Sequence, residues 1–344
     1  MSVFEQKNNE FILLEDALRL LVTGGAGFIG GNFIRYYLNT HTDCEIVNLD
    51  NLTYAGNLAS IKDLDSYSNY RFVQGNICDP KQVGQLMKEK FNAVVNFAAE
   101  SHVDRSIHDA VLFLNTNIQG TYNLLKISRE NEVDLFLQVS TDEVYGSLGL
   151  NGYFTENSPI QPNSPYAASK AGADLICRSF FETFSFPAII TRCCNNFGPY
   201  QFPEKLIPLF VTNLMEGQSV PIYGNGLNIR DWIYVEDHCR ALDAILQKGR
   251  PGEVYNIGSR QEMNNLEITD LILKKLDKPQ TCKKFVKDRL GHDQRYAIDP
   301  TKLEKELNWS PVFQFEEAIG RTITWYEKNI AWWKPLKEKV LKTF

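Results

Sequence analysis

The stretch LLVTGGAGFIG, residues 20–30, decides how this 344-residue chain begins to fold. Its first four residues are apolar or β-branched and predict a buried strand. Gly24, Gly27 and Gly30 follow at regular spacing, and the apolar positions of residues 28–38 recur with helical periodicity. Strand, glycine turn and helix in this order predict a dinucleotide site, because the glycines let the backbone approach a diphosphate and the helix N-terminus attracts its charge.

Asp50 strengthens this prediction. It ends the second predicted strand, about 20 residues after the glycine turn, where a carboxylate hydrogen-bonds the ribose diol of adenosine. The glycines alone could serve only the close packing of a helix on a sheet. A carboxylate here also repels the extra phosphate of NADP, and no Arg lies directly beside it, so NAD is the predicted cofactor.

Strand-like and helix-like segments alternate along the chain as far as residue 192. The predicted strands after the first are residues 45–49, 71–74, 93–97, 135–140 and 188–192. Such alternation is typical of a parallel sheet with helices on both faces. We therefore predict an α/β fold with a Rossmann-type, doubly wound parallel sheet.

The alternation of strand-like and helix-like segments becomes less regular after Asn195. Four prolines there divide the chain into short elements, namely Pro199, Pro203, Pro208 and Pro221. This predicts a smaller, C-terminal α/β substrate-binding region that interleaves with the main sheet. The predicted division is an N-terminal extension at 1–18, an NAD-binding domain at 19–194 to which 228–257 returns, and a substrate-binding region at 195–227 and 258–344.

Composition argues against several classes of protein. The net charge of −6 and the pI near 5.5 leave no basic stripe for nucleic acid. The N-terminal segment carries acidic residues and no long apolar stretch, so neither a secretory signal nor a membrane span is predicted. The seven cysteines include no CxxC pair, which favours reduced thiols in a cytoplasmic protein, and no metal site is predicted.

A group of proton-transfer residues lies in the middle of the chain. Thr141, Asp142 and Glu143 follow a predicted strand. Tyr166 and Lys170 stand one helical turn apart, so the ammonium can lower the pKa of the phenol. Taken alone, the acidic pair could be a helix N-cap with a first-turn acid, and the Tyr–Lys pair a solvated helix face. Together they supply more acid and base groups than alcohol oxidation requires.

Seven segments of the chain are similar to one known family. They are LDNLTYAGN (49–57), AAESHVDRSI (98–107), STDEVYG (140–146), YAASK (166–170), NNFGPYQFPEKLIP (195–208), IRDWIYVEDH (229–238) and GHDQRYAID (291–299). With the glycine turn, they resemble the extended short-chain dehydrogenase/reductase family and, within it, the nucleotide-sugar 4,6-dehydratases. The resemblance extends from Leu20 to about Trp325.

The resemblance implies oxidation, elimination and reduction of one sugar. Tyr166 would take the C4 hydroxyl proton while NAD accepts the hydride, with Lys170 on the nicotinamide ribose and Thr141 at the C4 oxygen. Glu143 would then remove the C5 proton, and Asp142 would protonate the departing C6 hydroxyl. Asp142 must therefore hold a proton in the working complex. The hydride finally returns to C6, so NAD is regenerated.

The resemblance also assigns contacts to the ligands. Residues expected at the cofactor are Gly24, Gly27, Phe28, Ile29, Gly30, Asp50, Asn51, Thr53, Asn76, Ile77, Ala98, Ala99, Thr116, Tyr166 and Lys170. Residues expected at the substrate are Ser101, Glu143, Asn195 or Asn196, Lys205, Leu206, Tyr223, Arg230, Asn265, Arg289 and His292. Any single charged residue among them could instead be an ordinary surface charge.

Related activities share part of this residue set. A sugar 4-epimerase would normally lack the Asp–Glu pair, and a nucleotide-sugar decarboxylase typically has Ser in place of Asp142, so the sequence favours a dehydratase. The pocket residues resemble those of enzymes that act on dTDP-glucose, while UDP-glucose 4,6-dehydratases share nearly all of the catalytic motifs. A catalytically silent NAD-binding protein is the alternative from a different class.

Two segments depart from the family pattern. Asn76 stands where an Asp usually contacts adenine, and its amide retains an acceptor while adding a donor. Arg192 precedes the adjacent Cys193 and Cys194 at a place where small residues are usual. The packing on the nicotinamide side is therefore less well predicted than the catalytic motif.

Family members usually form homodimers through a four-helix interface, and the helix that carries Tyr166 and Lys170 would contribute to it. Apolar residues on that helix could form the interface or the core. These residues are Leu175, Ile176, Phe180, Phe181 and Phe184.

Overall fold

The computed structural model describes residues 18–288 and 290–341. The predicted N-terminal extension lies outside the described residues except for Leu18, which begins the first strand, and so does Arg289. The strands are β1 (Leu18–Thr23), β2 (Cys44–Asp50), β3 (Tyr70–Gln74), β4 (Ala93–Asn96), β5 (Leu135–Thr141), β6 (Ala188–Cys193), β7 (Asn195–Phe197), β8 (Val220–Tyr223), β9 (Ile229–Tyr234), β10 (Val254–Ile257), β11 (Glu262–Asn264) and β12 (Lys283–Val286).

Helices connect most of these strands. They are α1 (Phe28–Thr40), α2 (Pro80–Met87), α3 (Val103–His108), α4 (Val111–Phe113), α5 (Thr121–Glu130), α6 (Pro165–Phe184), α7 (Leu206–Met215), α8 (Val235–Lys248), α9 (Asn265–Lys275), α10 (Thr301–Leu307), α11 (Phe315–Lys328) and α12 (Ile330–Leu341). A π-helical segment, Leu114–Gly120, joins α4 to α5. Shorter 3₁₀ turns occur at Leu58–Ser60, Lys62–Ser66, Asp142–Tyr145 and Gln280–Cys282.

The main sheet has the strand order β3-β2-β1-β4-β5-β6-β10, and every pairing in it is parallel. The chain therefore winds outward from β1 in two opposite directions, which is the Rossmann-type, doubly wound arrangement that the sequence predicts. Because β1 lies between β2 and β4, a crevice opens at the carboxyl ends of these strands. That crevice is where such folds bind their ligands.

Side chains of the sheet alternate between two layers of core. Leu20 and Val22 of β1 pack into a cluster with α1 and α8, whereas Leu21 packs on the other face with residues of α2, α5 and α6. This alternation follows from the period of two residues along a strand. Each fully buried side chain of this kind contributes about 1.5–3 kcal/mol relative to an exposed one. The sheet is thus held from both faces.

The later part of the chain builds two smaller sheets. β9 pairs parallel to β7 and antiparallel to β11, and β12 pairs parallel to β8. A third apolar cluster joins these strands to α7, α9, α11 and α12 through side chains such as Phe197, Trp232 and Phe315. Within residues 228–257, β10 extends the main sheet and α8 packs on α1, but β9 belongs to the smaller sheet.

Candidate active site

A cavity of about 330 Å³ lies at the carboxyl ends of the central strands. All of the predicted cofactor residues line it, and so do the five predicted catalytic residues and the predicted substrate residues Ser101, Asn195, Asn196 and Lys205. The topology explains why these residues line one cavity. The strands β1, β2, β4, β5 and β6 all end at the same edge of the sheet.

The glycine turn is shaped by close contacts. Gly24 has φ +75°, and a Cβ added there would lie 2.6 Å from the backbone nitrogen of Ala98. A Cβ on Gly30 would lie 2.6 Å from the carbonyl oxygen of Gly24. Gly27 is the N-cap of α1 and provides no side-chain cap, so the first amides of the helix face the cavity without a capping side chain. The turn fits a diphosphate at this helix N-terminus.

Asp50 ties the end of β2 to the glycine turn. Its Oδ2 accepts a hydrogen bond from the amide of Ala26 at 2.9 Å, and its Oδ1 accepts one from the amide of Leu52 at 2.7 Å. Burial raises the pKa of Asp50, and these two amides oppose that rise. The nearby Asn76 uses its side-chain oxygen to accept from the amide of Cys78 at 2.9 Å. Its oxygen thus closes a turn beside the cavity.

Tyr166 and Lys170 lie in the first half of α6, which begins with a Ser164 cap and Pro165. The ammonium of Lys170 donates to the carbonyl oxygen of Val139 at 2.6 Å, and burial lowers its pKa while Asp174 opposes that change. The pKa of Tyr166 is raised well above its usual value, first by burial and then by the charge of Glu143. Within the protein alone, the phenol therefore stays protonated at neutral pH.

Asp142 and Glu143 form the first turn of the short helix that follows β5. Thr141 is its N-cap, since its Oγ1 accepts from the amide of Glu143 at 3.3 Å. Asp142 is 2% exposed, and its Oδ2 has no hydrogen-bond partner among the described residues. Burial, followed by the charge of Glu143, raises its pKa well above the usual value, and Arg230 opposes this. Asp142 can therefore keep a proton where an exposed Asp would lose it.

The two adjacent asparagines differ in their surroundings. The Asn196 amide donates to the Cys194 carbonyl oxygen at 3.0 Å, and its Oδ1 lies 2.9 Å from Nδ1 of His238. Burial lowers the pKa of His238 to about 3, so its ring is neutral and can donate from Nδ1. Asn196 is thus oriented by protein groups. Asn195 is half-buried at the cavity wall.

The other predicted substrate residues that the structure describes do not line the cavity. Leu206 begins α7, Tyr223 ends β8 and Asn265 begins α9. His292 places Nδ1 2.7 Å from Oδ1 of Asp288, and Arg289 falls outside the described residues. Their contact with a substrate stays a prediction.

Arg230 also lies outside the lining, yet its charge reaches the acidic pair. Its guanidinium donates to the carbonyl oxygen of Asp293 at 2.9 Å and lies 4.3 Å from the ring centre of Tyr296. It nevertheless opposes the rise in the pKa of Asp142. The positive charge of Arg230 is therefore close enough to influence the proton on Asp142.

Comparison with known proteins places the chain in a family. A family model described as GDP-mannose 4,6 dehydratase matches residues 21–322. The chain belongs to this dehydratase family.

Relatives within the dehydratase family cover nearly the whole chain. The chain is 48% identical to a probable dTDP-glucose 4,6-dehydratase of Sinorhizobium fredii, with 94% of this chain and 97% of the relative covered. It is 52% identical to the low-salt glycan biosynthesis protein Agl12 of Haloferax volcanii, with 89% and 98% covered. The crystal structure of DesIV, a dTDP-glucose 4,6-dehydratase from Streptomyces venezuelae solved with NAD bound, has a TM-score of 0.90 at 49% identity and covers 93% of this chain and 100% of its own.

The structure adds cavity residues to the dehydratase site that the sequence analysis did not single out. They include Tyr54, Glu100, Tyr200, Gln201, Phe202 and Glu204. Most of them lie inside the segments that carry the family resemblance, so the sequence indicated the segments but not these residues. No spacing along the sequence indicates that the loops at 51–57, 97–105 and 198–205 meet, because that contact depends on tertiary packing.

In the described parts of the chain, no group of three or more His, Cys, Asp or Glu is arranged to hold a metal ion. A helix long and apolar enough to cross a membrane is likewise absent from residues 18–288 and 290–341.

Proposed function

We propose that the protein is an NAD-dependent dTDP-glucose 4,6-dehydratase. It converts dTDP-glucose to dTDP-4-keto-6-deoxyglucose and water, a step of deoxysugar biosynthesis. The observation that carries this proposal is the placement of a buried Asp142, Glu143 and Tyr166 in one cavity with a dinucleotide-type glycine turn. The relatives at 48% and 49% identity that carry this activity in their names support the choice of substrate.

The cavity residues fit NAD. Gly24, Gly27 and Gly30 would hold the diphosphate, and Asp50 would hold the adenosine ribose, with its carboxylate already fixed by two amides. Lys170 would hold the nicotinamide ribose from inside the cavity. When bound, NAD supplies the acceptor for the C4 hydride and the donor that returns it to C6.

Tyr166 acts as the base at the C4 hydroxyl, and Thr141 hydrogen-bonds the C4 oxygen. Burial and the charge of Glu143 raise the pKa of Tyr166 in the protein alone, so the phenol needs a positive charge beside it in addition to Lys170 before it can act as a base. The ring of oxidised NAD carries such a charge. This coupling keeps the phenol inactive as a base when no cofactor is bound.

Glu143 removes the C5 proton, and Asp142 delivers a proton to the departing C6 hydroxyl. The two tasks require one carboxylate to be ionised and its neighbour to be protonated. The burial of Asp142, which is 2% exposed, supports this proposal because it favours the protonated carboxyl. The charge of Glu143 further raises the pKa of Asp142.

A direct assay tests the activity. The purified protein is incubated with dTDP-glucose without added NAD, and the product mass and the alkaline absorbance of the keto-sugar are followed. The proposal expects loss of one water with no net NADH. UDP-glucose is assayed in parallel, since the thymine methyl group is worth only about 1–3 kcal/mol in an apolar pocket. Absence of product from either nucleotide sugar, even with added NAD, would support a catalytically silent NAD-binding protein.

We also propose that two copies associate through α4, α5, the π-helical segment between them, and α6. Large apolar side chains on these elements are exposed, namely Val111, Leu112, Leu114, Tyr122, Leu175 and Phe184. Contacts of Tyr122 with Phe180 and of Arg129 with Phe184 place α5 beside α6. Two helices from each copy would cover this surface.

The apolar residues named on α6 divide between that surface and the core. Phe180 is 5% exposed and belongs to the core, Ile176 is partly buried against it, and Phe181 is half-buried over Gly252. Only Leu175 and Phe184 are exposed among the named residues. These two side chains carry the contribution of α6 to the proposed interface.

We place the protein in the cytoplasm, and its seven cysteines are consistent with this. All of them are free thiols, and five are buried. Reduced thiols are typical of that compartment.

We also retain the division into an NAD-binding domain and a substrate-binding region as a proposal. It is supported by β10, which returns to the main sheet.

A further inference from the structure

Three chain segments that frame the cavity meet in one cluster of side chains. Arg105 of α3 lies 4.0 Å from the ring centre of Tyr54 in the loop 51–57. The ring of Tyr54 makes an edge contact with Phe202 at 5.8 Å, and the guanidinium of Arg105 lies 4.0 Å from the carboxylate of Glu204. Phe202 and Glu204 belong to the loop 198–205. We call Tyr54, Arg105, Phe202 and Glu204 the loop latch.

The two loops that contribute to the loop latch are anchored at α1 and at the glycine turn. The side-chain amide of Asn32 on α1 donates to the carbonyl oxygen of Pro199 at 2.9 Å, which fixes the loop 198–205 against that helix. The amide of Asn57 donates to the carbonyl oxygen of Ala26 at 3.2 Å, which fixes the loop 51–57 against the glycine turn. Tyr54, Phe202 and Glu204 line the same cavity as the glycines. Three of the four latch side chains therefore lie in the wall of the cavity that contains the glycine turn.

The loop 198–205 also contacts the C-terminal helices. The hydroxyl of Tyr326 in α11 donates to the carbonyl oxygen of Gln201, and the Gln201 amide donates to the Asn196 backbone oxygen at 2.9 Å. The ring of Tyr200 packs on Trp325 with a centroid distance of 4.6 Å. These contacts fix the loop 198–205 to the C-terminal helices. The contacts of Arg105 and Tyr54 are then the ones that must separate if the cavity is to open.

The latch is stabilised by stacking and charge more than by hydrogen bonds. Within the described residues, the Tyr54 hydroxyl, the Arg105 Nε and both carboxylate oxygens of Glu204 are buried and have no partner with good hydrogen-bond distance and angle, although the Tyr54 hydroxyl is close enough to Glu204 to lower its pKa. His102 is 3.6 Å from Glu204, and burial raises the pKa of Glu204 while Lys205 and Arg105 oppose the rise. Buried polar atoms without such bonds reduce stability.

We propose that the loop latch holds NAD in the cavity between turnovers. The proposal rests on the proposed function, because an enzyme that regenerates its cofactor in every turnover gains nothing by releasing it. Arg105 is the central residue, since it contacts both loops. The ring of Tyr54 contributes through stacking, so its hydroxyl is not required.

Release of labelled NAD tests the latch without any sugar nucleotide. Holoprotein loaded with tritiated NAD is mixed with excess unlabelled NAD, and the loss of bound label is followed over time. Arg105→Met and Tyr54→Leu should each raise the release rate about tenfold, which corresponds to about 1.4 kcal/mol. Tyr54→Phe keeps the ring and should stay within about twofold of the unaltered protein. Arg71→Met, a half-exposed Arg on β3, is the matched control and should leave release unchanged.

The outcomes separate the latch from the proposed function. Thermal unfolding of each variant checks that it is folded. If Arg105→Met does not fold, the NAD release rate of Tyr54→Leu alone tests the latch. Unaltered protein that retains NAD, with Arg105→Met and Tyr54→Leu releasing it no faster, would overturn the latch alone. Protein that binds no NAD at all would overturn both.

Discussion

At the scale of single residues, the proton on Asp142 is the central feature of the site. Its carboxyl is 2% exposed beside a second carboxylate, and both features raise its pKa. Asp142→Asn has the same shape but cannot donate this proton. We expect overall turnover to fall by about 10²–10³-fold, while C4 oxidation is slowed far less. Single-turnover mixing that follows transient reduced cofactor and keto-sugar separately measures the two steps.

Asp134→Asn is the control for this variant, since Asp134 is exposed just before β5. It should leave both steps unchanged. Equal loss of oxidation and water elimination in Asp142→Asn would contradict the assignment of Asp142 as the acid.

Asp142 also has a predicted effect on stability. Its pKa is raised in the folded protein, so folding binds a proton more tightly, and stability is lost as the pH rises from the ordinary Asp value through the raised one. Asp142→Asn removes this loss. We expect the variant to match the unaltered protein near about pH 4 and to be more stable by about 1–2 kcal/mol at about pH 8. Denaturant unfolding at the two pH values measures the difference, and a gain that is the same at both would contradict the raised pKa.

At this scale, the residues of the site could be predicted from the sequence, but the orientations of their side chains could not. The predicted catalytic residues at 141–143, 166 and 170 all line the cavity, because strand ends and one helix face bring them together. The sequence left Asn195 and Asn196 as alternative substrate residues. The contact that distinguishes them, between the Asn196 side chain and His238, depends on tertiary structure. Nor could the sequence indicate Tyr54 or Glu204, whose contacts cross between loops distant in sequence.

At the scale of elements, the turn between β1 and α1 carries a second prediction about the cofactor. Gly24→Ala would place a Cβ 2.6 Å from the Ala98 backbone nitrogen at a left-handed φ of +75°, so either the turn or the segment that follows β4 must move. We expect the Kd for NAD to rise at least about tenfold, measured by calorimetry on protein freed of cofactor.

Gly84 in α2 provides the matched control. An added Cβ there meets nothing within 4 Å, and the residue lies inside a helix. Gly84→Ala should leave NAD affinity unchanged and stabilise the protein by about 0.5–1 kcal/mol. Equal NAD affinity in the two variants would show that the turn is not the diphosphate cradle.

The elements of the main sheet were predictable because each one shows a local pattern. The apolar runs of β1, β4, β5 and β6 are buried on both faces, and the glycines mark the first turn. The smaller sheets were not predicted strand by strand, since β7, β8 and β11 have only three or four residues. Pairing of such short strands is determined by the helices packed over them, which no local pattern shows.

At the scale of the whole molecule, the exposed apolar surface on α4–α6 predicts association of two copies. Leu175 is 54% exposed on α6, and a charge placed there would be buried in a four-helix interface. Leu175→Glu should therefore elute as a monomer in gel filtration at micromolar concentration. Leu58→Glu, at a site that is 52% exposed on a turn outside these helices, should elute like the unaltered protein. Unaltered protein that elutes as a monomer would contradict the dimer.

In the proposed catalytic cycle, hydrogen moves from C4 of the sugar to C6, and a water is removed between the two events. Incubation of the protein, without added NAD, with dTDP-glucose that carries deuterium at C4 follows this transfer. We expect a keto-sugar whose methyl group at C6 holds the deuterium, with no accumulation of reduced cofactor. A keto-sugar without deuterium at C6, or reduced cofactor formed in proportion to product, would contradict this cycle.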